Sequence, residues 1–415
     1  MTNLRINAER LWGSLMELAR IGATPKGGVK RLTLTEEDRG ARDLFVRWAR
    51  EAGLSVEVDA VGNIFARRAG TDASAAPVAM GSHLDSQPSG GKFDGAYGVM
   101  AGLEVLRTLD DAGVRTRAPL EVVSWTNEEG SRFTPVMMGS GVFAKVFTLA
   151  HVRAQKDIDG ITVGDALHEI GYAGAAPPHR LGAYLEAHIE QGPVLEAEGK
   201  TIGVVQGALG QRWYDVTVTG QDAHAGPTPM ELRQDALLGA SRLIQEVNRI
   251  ARAFPDNARG TVGFLQVKPN SRNVIPGEVR TTVDFRNAKA VTLDAMCAEL
   301  ERAARAIEAE CRVRVELREN TYFQPCEFDA AMVAGVRAAA SALGLPHRDI
   351  VSGAGHDAVY VARVAPTAMI FIPCEGGISH NEIESAAPAD LAAGCNVLLH
   401  AALDKAGVAD SRRAA

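Results

Sequence analysis

His83 and Asp85 stand two apart in Gly81-Ser82-His83-Leu84-Asp85, and Asp94 follows in Phe93-Asp94-Gly95. On an extended strand end, residues two apart point the same way. The Asp85 carboxylate could then hydrogen-bond the outer nitrogen of His83 and leave the other nitrogen for a metal. Pro88, Gly90, Gly91 and Gly95 let the backbone turn sharply enough for Asp94 to return towards His83. A His and an Asp among glycines also suit a solvated loop, and this segment alone does not choose.

Three more polar clusters close apolar runs: Trp125-Thr126-Asn127-Glu128-Glu129-Gly130, Glu186-Ala187-His188-Ile189-Glu190-Gln191-Gly192, and Gly377-Ile378-Ser379-His380-Asn381. Adjacent carboxylates such as Glu128 and Glu129 repel unless a cation or a shared proton stabilises them, although a plain charged turn would also carry them. Four such clusters at strand ends can meet, because a sheet presents those ends along one edge. The donors are His83, His188 and His380 with Asp94, Glu128 and Glu129. This mixed N/O set suits two metal ions about 3.5 Å apart that share a carboxylate, activate a water and polarise a carbonyl. One acid would remain as the base, and Glu128 is the choice for that role.

The elements that must position these residues alternate. A helix is expected around Ala8 to Ala19. Thr35 and Asp38 predict the start of a second, with Leu44, Phe45 and Trp48 facing inward. Strands are predicted at Leu54 to Val58, Asn63 to Ala66, Val78 to Gly81 and Leu120 to Trp125, with a helix from Gly95 to Ala112. This order predicts an α/β domain with a mixed, largely parallel sheet. From Gln211 the texture changes: strand Trp213 to Gly220, helix Leu232 to Ala253, strands Thr261 to Val267 and Val279 to Phe285, helix Leu293 to Ala309, strand Arg312 to Leu317. That β-α-β-β-α-β order predicts an inserted ferredoxin-like α+β domain. The α/β pattern then resumes, with strand Thr367 to Pro373 and a closing helix Asp390 to Leu403 capped by Asp390. The expected division is 1–211, 212–329 and 330–415, with a frayed tail at Ser411 to Ala415.

Composition narrows the partners. Forty-four Lys and Arg against 51 Asp and Glu give a net charge of −7 with no basic block, which argues against nucleic acid or a membrane surface. Five scattered cysteines without a Cys-x-x-Cys pair fit a reducing cytoplasm, and no apolar run reaches membrane-spanning length.

Taken in order, the motifs resemble the amidase, hydantoinase and carbamoylase branch of the M20 metallopeptidases. They are Gly-Ser-His-Leu-Asp-Ser at 81–86, Phe-Asp-Gly at 93–95, Asn-Glu-Glu-Gly at 127–130, His-Ile-Glu-Gln-Gly-Pro at 188–193, His-Ala-Gly-Pro-Thr-Pro-Met at 224–230 and Ser-Gly-Ala-Gly-His-Asp at 352–357. The resemblance implies one ion on His83, Asp94 and His188 and a second on Asp94, Glu129 and His380. Asp94 is then the bridge, Asp85 the support of His83, and Glu128 the general base and then acid. It also implies substrate contacts at Gln191, His224, Asn273, Arg286 and Gly355, and a homodimer through the inserted lid domain. A guanidinium offers the planar fork a substrate carboxylate requires, so Arg286 makes chemical sense as the anchor. His224 also suits a plain loop, and His356 a helix cap.

Peptidases of the superfamily usually carry an acid where His188 stands, so His188 favours the carbamoyl-cleaving branch. The implied substrates are small ureido acids: N-carbamoyl-L-amino acids or N-carbamoyl-β-alanine, with allantoate the alternative. Zinc suits the ligand set best, with manganese, cobalt or nickel also able to occupy it. A cysteine-nucleophile carbamoylase would need a Lys beside Cys374-Glu375, and none stands in such a context. A scaffold built on a dead hydrolase would lack a ligand or the base, and none is missing.

Overall fold

The computed structural model describes residues 3–255 and 257–409. The tail expected at Ser411 to Ala415 lies outside them. Sixteen strands form among the described residues. In chain order they are β1 (Ser55–Val58), β2 (Ile64–Arg68), β3 (Val78–His83), β4 (Leu120–Trp125), β5 (Ala183–Ile189), β6 (Ile202–Ala208), β7 (Gly210–Thr219) and β8 (Ala223–His224). There follow β9 (Arg259–Thr261), β10 (Leu265–Lys268), β11 (Val274–Ile275), β12 (Glu278–Asn287), β13 (Arg314–Phe323), β14 (Cys326–Glu327), β15 (His347–Ser352) and β16 (Thr367–Ile372). The chain divides into two compact units, Met1–Gly207 with Phe328–Ala415, and Ala208–Glu327.

In the first unit the sheet runs β1-β2-β4-β3-β5-β16-β6, with β15 beside β6. Its centre is parallel: β3 pairs with β4 and β5, and β16 with β5, while β1, β2 and β6 join antiparallel. β3, β4, β5 and β16 are buried along their whole length. Both faces of a parallel sheet lie under helices, so near-continuous apolar runs suit these four. The helices Ala96–Asp111, Ala330–Ala342 and Pro388–Ala406 cover them. Because the four strands point the same way, His83, Trp125, Ile189 and Ile372 end them at one edge, where a site is expected to form.

Helix starts are set by caps, as sequence predicts for Thr35, whose hydroxyl accepts the Asp38 N–H. Two starts differ. The last helix begins at Pro388, not Asp390: proline needs no N–H in the first turn and its φ is preset, so Asp390 lies inside that turn. The helix expected from Leu232 begins at Ala236, because Asp235 caps Leu237 and Leu238, and Met230–Leu232 forms a separate 3-10 turn.

The second unit is an antiparallel sheet in the order β10-β12-β7-β13, with β9 also on β12. The single strand expected from Thr261 to Val267 is two, β9 and β10, parted around Gly263, a poor strand residue. The helices Ala236–Ala253 and Ala290–Cys311 pack on this sheet. Their shared core includes Val216, Val218, Leu243, Val283, Phe285 and Leu300. No described helix is long and apolar enough to cross a membrane.

Candidate metal centre

Every sequence-derived metal donor arrives at the carboxyl edge of the parallel strands. His83 ends β3 and His188 lies near the end of β5. Glu128 and Glu129 follow β4, and His380 follows β16. Asp94 immediately precedes Gly95, the N-cap of the helix Ala96–Asp111. Gly95 has φ +63, and a Cβ there would stand 2.4 Å from the His83 ring, so only glycine lets this turn close on the imidazole.

Asp94 sits between two sets of donors. Its Oδ1 is 3.2 Å from His188 Nε2 and 3.7 Å from His83 Nε2; its Oδ2 is 3.4 Å from His380 Nε2. His380 Nε2 is also 3.3 Å from Glu129 Oε2. Ligand atoms of His83, Asp94 and His188 lie within 4.8 Å of one another, and so do those of Asp94, Glu129 and His380. The structure thus brings the residues of the two expected sets together, with Asp94 common to both, and also groups Glu186, His188 and His356. Glu128 belongs to neither set, and its Oε2 lies 3.5 Å from His83 Nε2.

The imidazoles are oriented from behind. His83 Nδ1 faces the backbone carbonyl of Asp85 at 2.9 Å, and His188 Nδ1 that of Ile189 at 2.9 Å. Carbonyls only accept, so each Nδ1 carries the proton and each Nε2 lone pair faces the cluster. The expectation that the Asp85 carboxylate meets His83 directly is corrected here. That carboxylate is 3.8 Å away and instead accepts the backbone N–H groups of Glu128 and Glu129 at 3.3 Å. The strand ends at His83, so the alternation that would align residues two apart no longer holds at Asp85. Asp85 therefore positions the two glutamates as well as lying behind His83.

Electrostatics favour a cation. Burial opposes ionisation of Asp94, but the His188, His380 and His83 imidazoles around it, when they carry a proton on Nε2, hold it well below the usual carboxylate range. Burial, then Asp94, pushes Glu129 up to about 7. Burial, with Asp357, Glu129 and Asp94 adding repulsion, carries Glu128 well above its ordinary value. Clustered buried carboxylates with imidazole lone pairs aimed between them form a donor set that fits two divalent ions.

The same cavity is lined by Gln87, Gln191, Met137, Gly355 and His356. Gln191 donates to Asp94 Oδ2 at 2.8 Å, and Gln87 grips Glu129 through its backbone N–H at 3.1 Å and its side chain at 2.7 Å. The expected contacts His224, Asn273 and Arg286 lie in the second unit. His224 pairs with Val274, and the carbonyl of Asn273 accepts the Ala225 N–H at 2.9 Å, so one two-stranded ribbon carries both. Arg286, opposite Gln211 on β7, holds Asp284 at 2.9 Å.

Several neighbours escape sequence reasoning. His356 occupies the N-cap position of Asp357–Val361, yet its side chain caps nothing. It bonds Ser352 at 2.9 Å and packs edge-on against His188 with ring centroids 4.6 Å apart. Burial, reinforced by His188, keeps it well below the ordinary imidazole range and so neutral. Asp357 is buried against Ser140, whose hydroxyl donates at 2.5 Å. Its adjacency to His356 in the 352–357 motif is the one sequence signal for it. Cys374 is buried with its thiol pushed up to about 11 by burial, which removes it as a nucleophile.

Residues 79–404 match the family described as Peptidase family M20/M25/M40. An N-carbamoyl-L-amino-acid amidohydrolase of Rhizobium meliloti is 48% identical over 98% of this chain and 99% of its own. An allantoate amidohydrolase of Bacillus subtilis is 35% identical over 92% and 93%. A crystal structure of an amidase of the hydantoinase/carbamoylase family from Burkholderia multivorans covers 97% of this chain and 98% of its own, with a TM-score of 0.95 at 59% identity. The chain is a hydrolase of the metal-dependent M20 family and belongs to its amidase, hydantoinase and carbamoylase branch.

Proposed function

We propose that the protein hydrolyses the ureido group of N-carbamoyl-L-amino acids or N-carbamoyl-β-alanine, releasing amino acid, ammonia and CO2. The observation that carries this reading is His188, an imidazole 3.2 Å from Asp94 Oδ1, at a position where, by the family resemblance, peptidases of the superfamily usually carry an acid. The relatives named for carbamoyl amino acids and for allantoate support the same bond class.

Two divalent ions, zinc by the balance of imidazole and carboxylate donors, would be held by His83, Asp94 and His188 and by Asp94, Glu129 and His380. They would supply Lewis-acid polarisation and an acidified water. The chain's own residues do the rest. Glu128, outside both ligand sets, takes a proton on its carboxylate and returns it to the leaving nitrogen. Asp85 holds the backbone of Glu128 and Glu129 in place. Gln191 and Gly355 border the reacting group, Arg286 takes the substrate's carboxylate, and His224 and Asn273 are substrate contacts that reach the metals of the partner subunit.

The second unit is the proposed lid and dimerisation domain, the contact falling within residues 212–329. Its edge strand β10 supports this: Phe264 beside it and Leu265 within it are 51% and 46% exposed, an apolar edge suited to a second copy. Sedimentation as a monomer across micromolar concentrations would remove this part. Five free cysteines support a reducing cytoplasm as its place.

The test is ammonia release by the metal-loaded protein from N-carbamoyl-L-amino acids, N-carbamoyl-β-alanine and allantoate. The expected order of kcat/KM places a carbamoyl amino acid first. Allantoate ranking tenfold higher would move the assignment to it, and no turnover of any of the three would end the reading.

A further inference from the structure

Glu384 belongs to none of the ligand sets, yet it is 1% exposed and hydrogen-bonded to the loop that carries Asp94. Its Oε1 accepts the backbone N–H groups of Phe93 at 3.0 Å and Asp94 at 3.1 Å. The Ser379 hydroxyl stands between the two acids, 3.0 Å from Glu384 Oε2 and 3.1 Å from Asp94 Oδ2, and its one proton serves either carboxylate in turn. Gln191 closes the network, donating to Asp94 Oδ2 at 2.8 Å and to Ser379 Oγ at 3.2 Å. The Glu384 N–H donates to the Asn381 carbonyl at 3.0 Å, so the turn carrying His380 is tied to the same residue.

Two features say that this placement is built. A Cβ at position 91 would fall 2.0 Å from the Glu384 carboxylate, so Gly91 is what lets that carboxylate reach the Phe93–Asp94 backbone. No Lys or Arg among the described residues forms an ion pair with Glu384, so a second acid is buried near Asp94 with only neutral donors to hold it. Burying a charge beside a like charge costs stability. A well-packed apolar side chain would serve packing alone better. What the carboxylate adds is a rigid tie between two segments far apart in sequence, one supplying the bridge and the other His380.

We propose that Glu384 is a positioning residue that, through the Phe93 and Asp94 backbone and with Ser379, fixes the Asp94 carboxylate and the His380 turn relative to each other. The second ion, on Asp94, Glu129 and His380, then binds tightly only while that tie is intact. This rests on the two-ion reading. It makes the tie a determinant of metal occupancy distinct from the ligands themselves.

The experiment is a titration of chelator-treated protein with Zn2+ alone, and in parallel with Mn2+ followed by electron paramagnetic resonance, for wild type, Glu384→Ala and Ser379→Ala. Groups that orient metal ligands typically alter affinity by about 10- to 100-fold. The expected result is one tight site kept and the second weakened about tenfold or more, with the spin-coupled Mn2+ signature reduced. At saturating metal kcat recovers and KM is unchanged. A merely structural role would lower Tm and leave both binding constants alone. If Glu384→Ala does not fold, Ser379→Ala decides: its hydroxyl is the link to Asp94, and a weakened second site supports the proposal. A wild type holding two ions with both constants unchanged in a folded variant overturns the proposal alone. A wild type holding fewer than two ions overturns the two-ion reading as well.

Discussion

In the second unit, the polar side chains buried among the described residues are Thr281 and Asn287, set in a core of aliphatic and aromatic groups. The first unit buries many charges, and two groups of acids stand apart among them. Asp38 with Arg42 at 2.7 Å, Glu104 with Arg10 at 2.7 Å and Glu121 with Arg67 at 2.7 Å are acids paired to a guanidinium. Asp94, Glu128, Glu186, Asp357 and Glu384, with Glu129, whose side chain is 4% exposed, have no Lys or Arg partner among the described residues, and they gather around one cavity or directly behind it. A buried acid with an Arg needs no further explanation. Buried acids without one destabilise the fold unless something positive joins them. The contrast between the units, and between the two kinds of acid, points to the metal centre more sharply than any single motif.

The strongest way to break that contrast is to remove the proposed cations. Exhaustive chelation should abolish ureido-acid hydrolysis and added divalent metal should restore it, while thiol alkylation leaves activity intact; full turnover by verified metal-free protein would sink the mechanism. Within the same cluster, Glu128→Gln should keep two ions and lower kcat by about 100-fold or more, the scale of a lost general base. Metal analysis beside the kinetics separates the roles, since lost metal would make Glu128 a ligand.

Next in size is the apolar side of the comparison. Leu243 is fully buried in the second unit's core. Leu243→Ala should cost roughly 2–5 kcal/mol by denaturant unfolding, through lost transfer energy and the cavity left behind. Metal stoichiometry should not change. A lost ion in the folded variant would show that the two units do not divide stability from chemistry.

Arg286→Lys tests the reach of the second unit into function. Lys keeps the charge but not the planar fork, and truncated charge partners cost roughly 2–5 kcal/mol, so kcat/KM should fall about 30-fold or more, chiefly in KM. Metal content should hold. An amide analogue of the substrate should lose little further, and equal losses for acid and amide would make Arg286 structural.

Much of this site could be read from sequence because each donor closes an apolar run. β3, β4, β5 and β16 are continuous buried strands, and parallel pairing brings their ends together whatever the loops do. The loops are where sequence fell short. Asp85 lies two residues past a strand end, where alternation no longer fixes direction, so its carboxylate turns to the Glu128 and Glu129 backbone instead of His83. Glu384 follows His380 by only four residues, yet its partners Phe93 and Asp94 lie about 290 positions away, and no local period encodes that. The strand β6 also went unread, its apolar run interrupted by Gly203, Gln206 and Gly207, as did the helices Met138–Phe143, Leu149–Arg153 and Val163–Glu169, which are too short to show a period. His356 was legible as a helix start but not as the neutral partner of Ser352.

The smallest expected effect lies at Thr35, where capping and buried charge meet. Its hydroxyl accepts the Asp38 N–H at a long 3.4 Å and donates to the Leu32 carbonyl at 2.9 Å. Asp38 does more: Oδ2 accepts the Leu34 N–H at 2.8 Å and the Arg42 guanidinium at 2.7 Å, so the helix start stays anchored without the threonine. Thr35→Ala should therefore fall at the low end for a lost cap, about 0.5–1 kcal/mol by denaturant unfolding. Arg42 also donates to the Gly62 carbonyl at 2.7 Å and to Thr126 Oγ at 3.3 Å, and Thr126 stands two residues before Glu128. If the paired acids serve only the fold, kcat, KM and metal content in Thr35→Ala should match wild type. A fall in kcat at full metal occupancy would mean that the Asp38–Arg42 pair holds the Glu128 turn in position, and the separation of structural from functional charge in this unit would fail at that point.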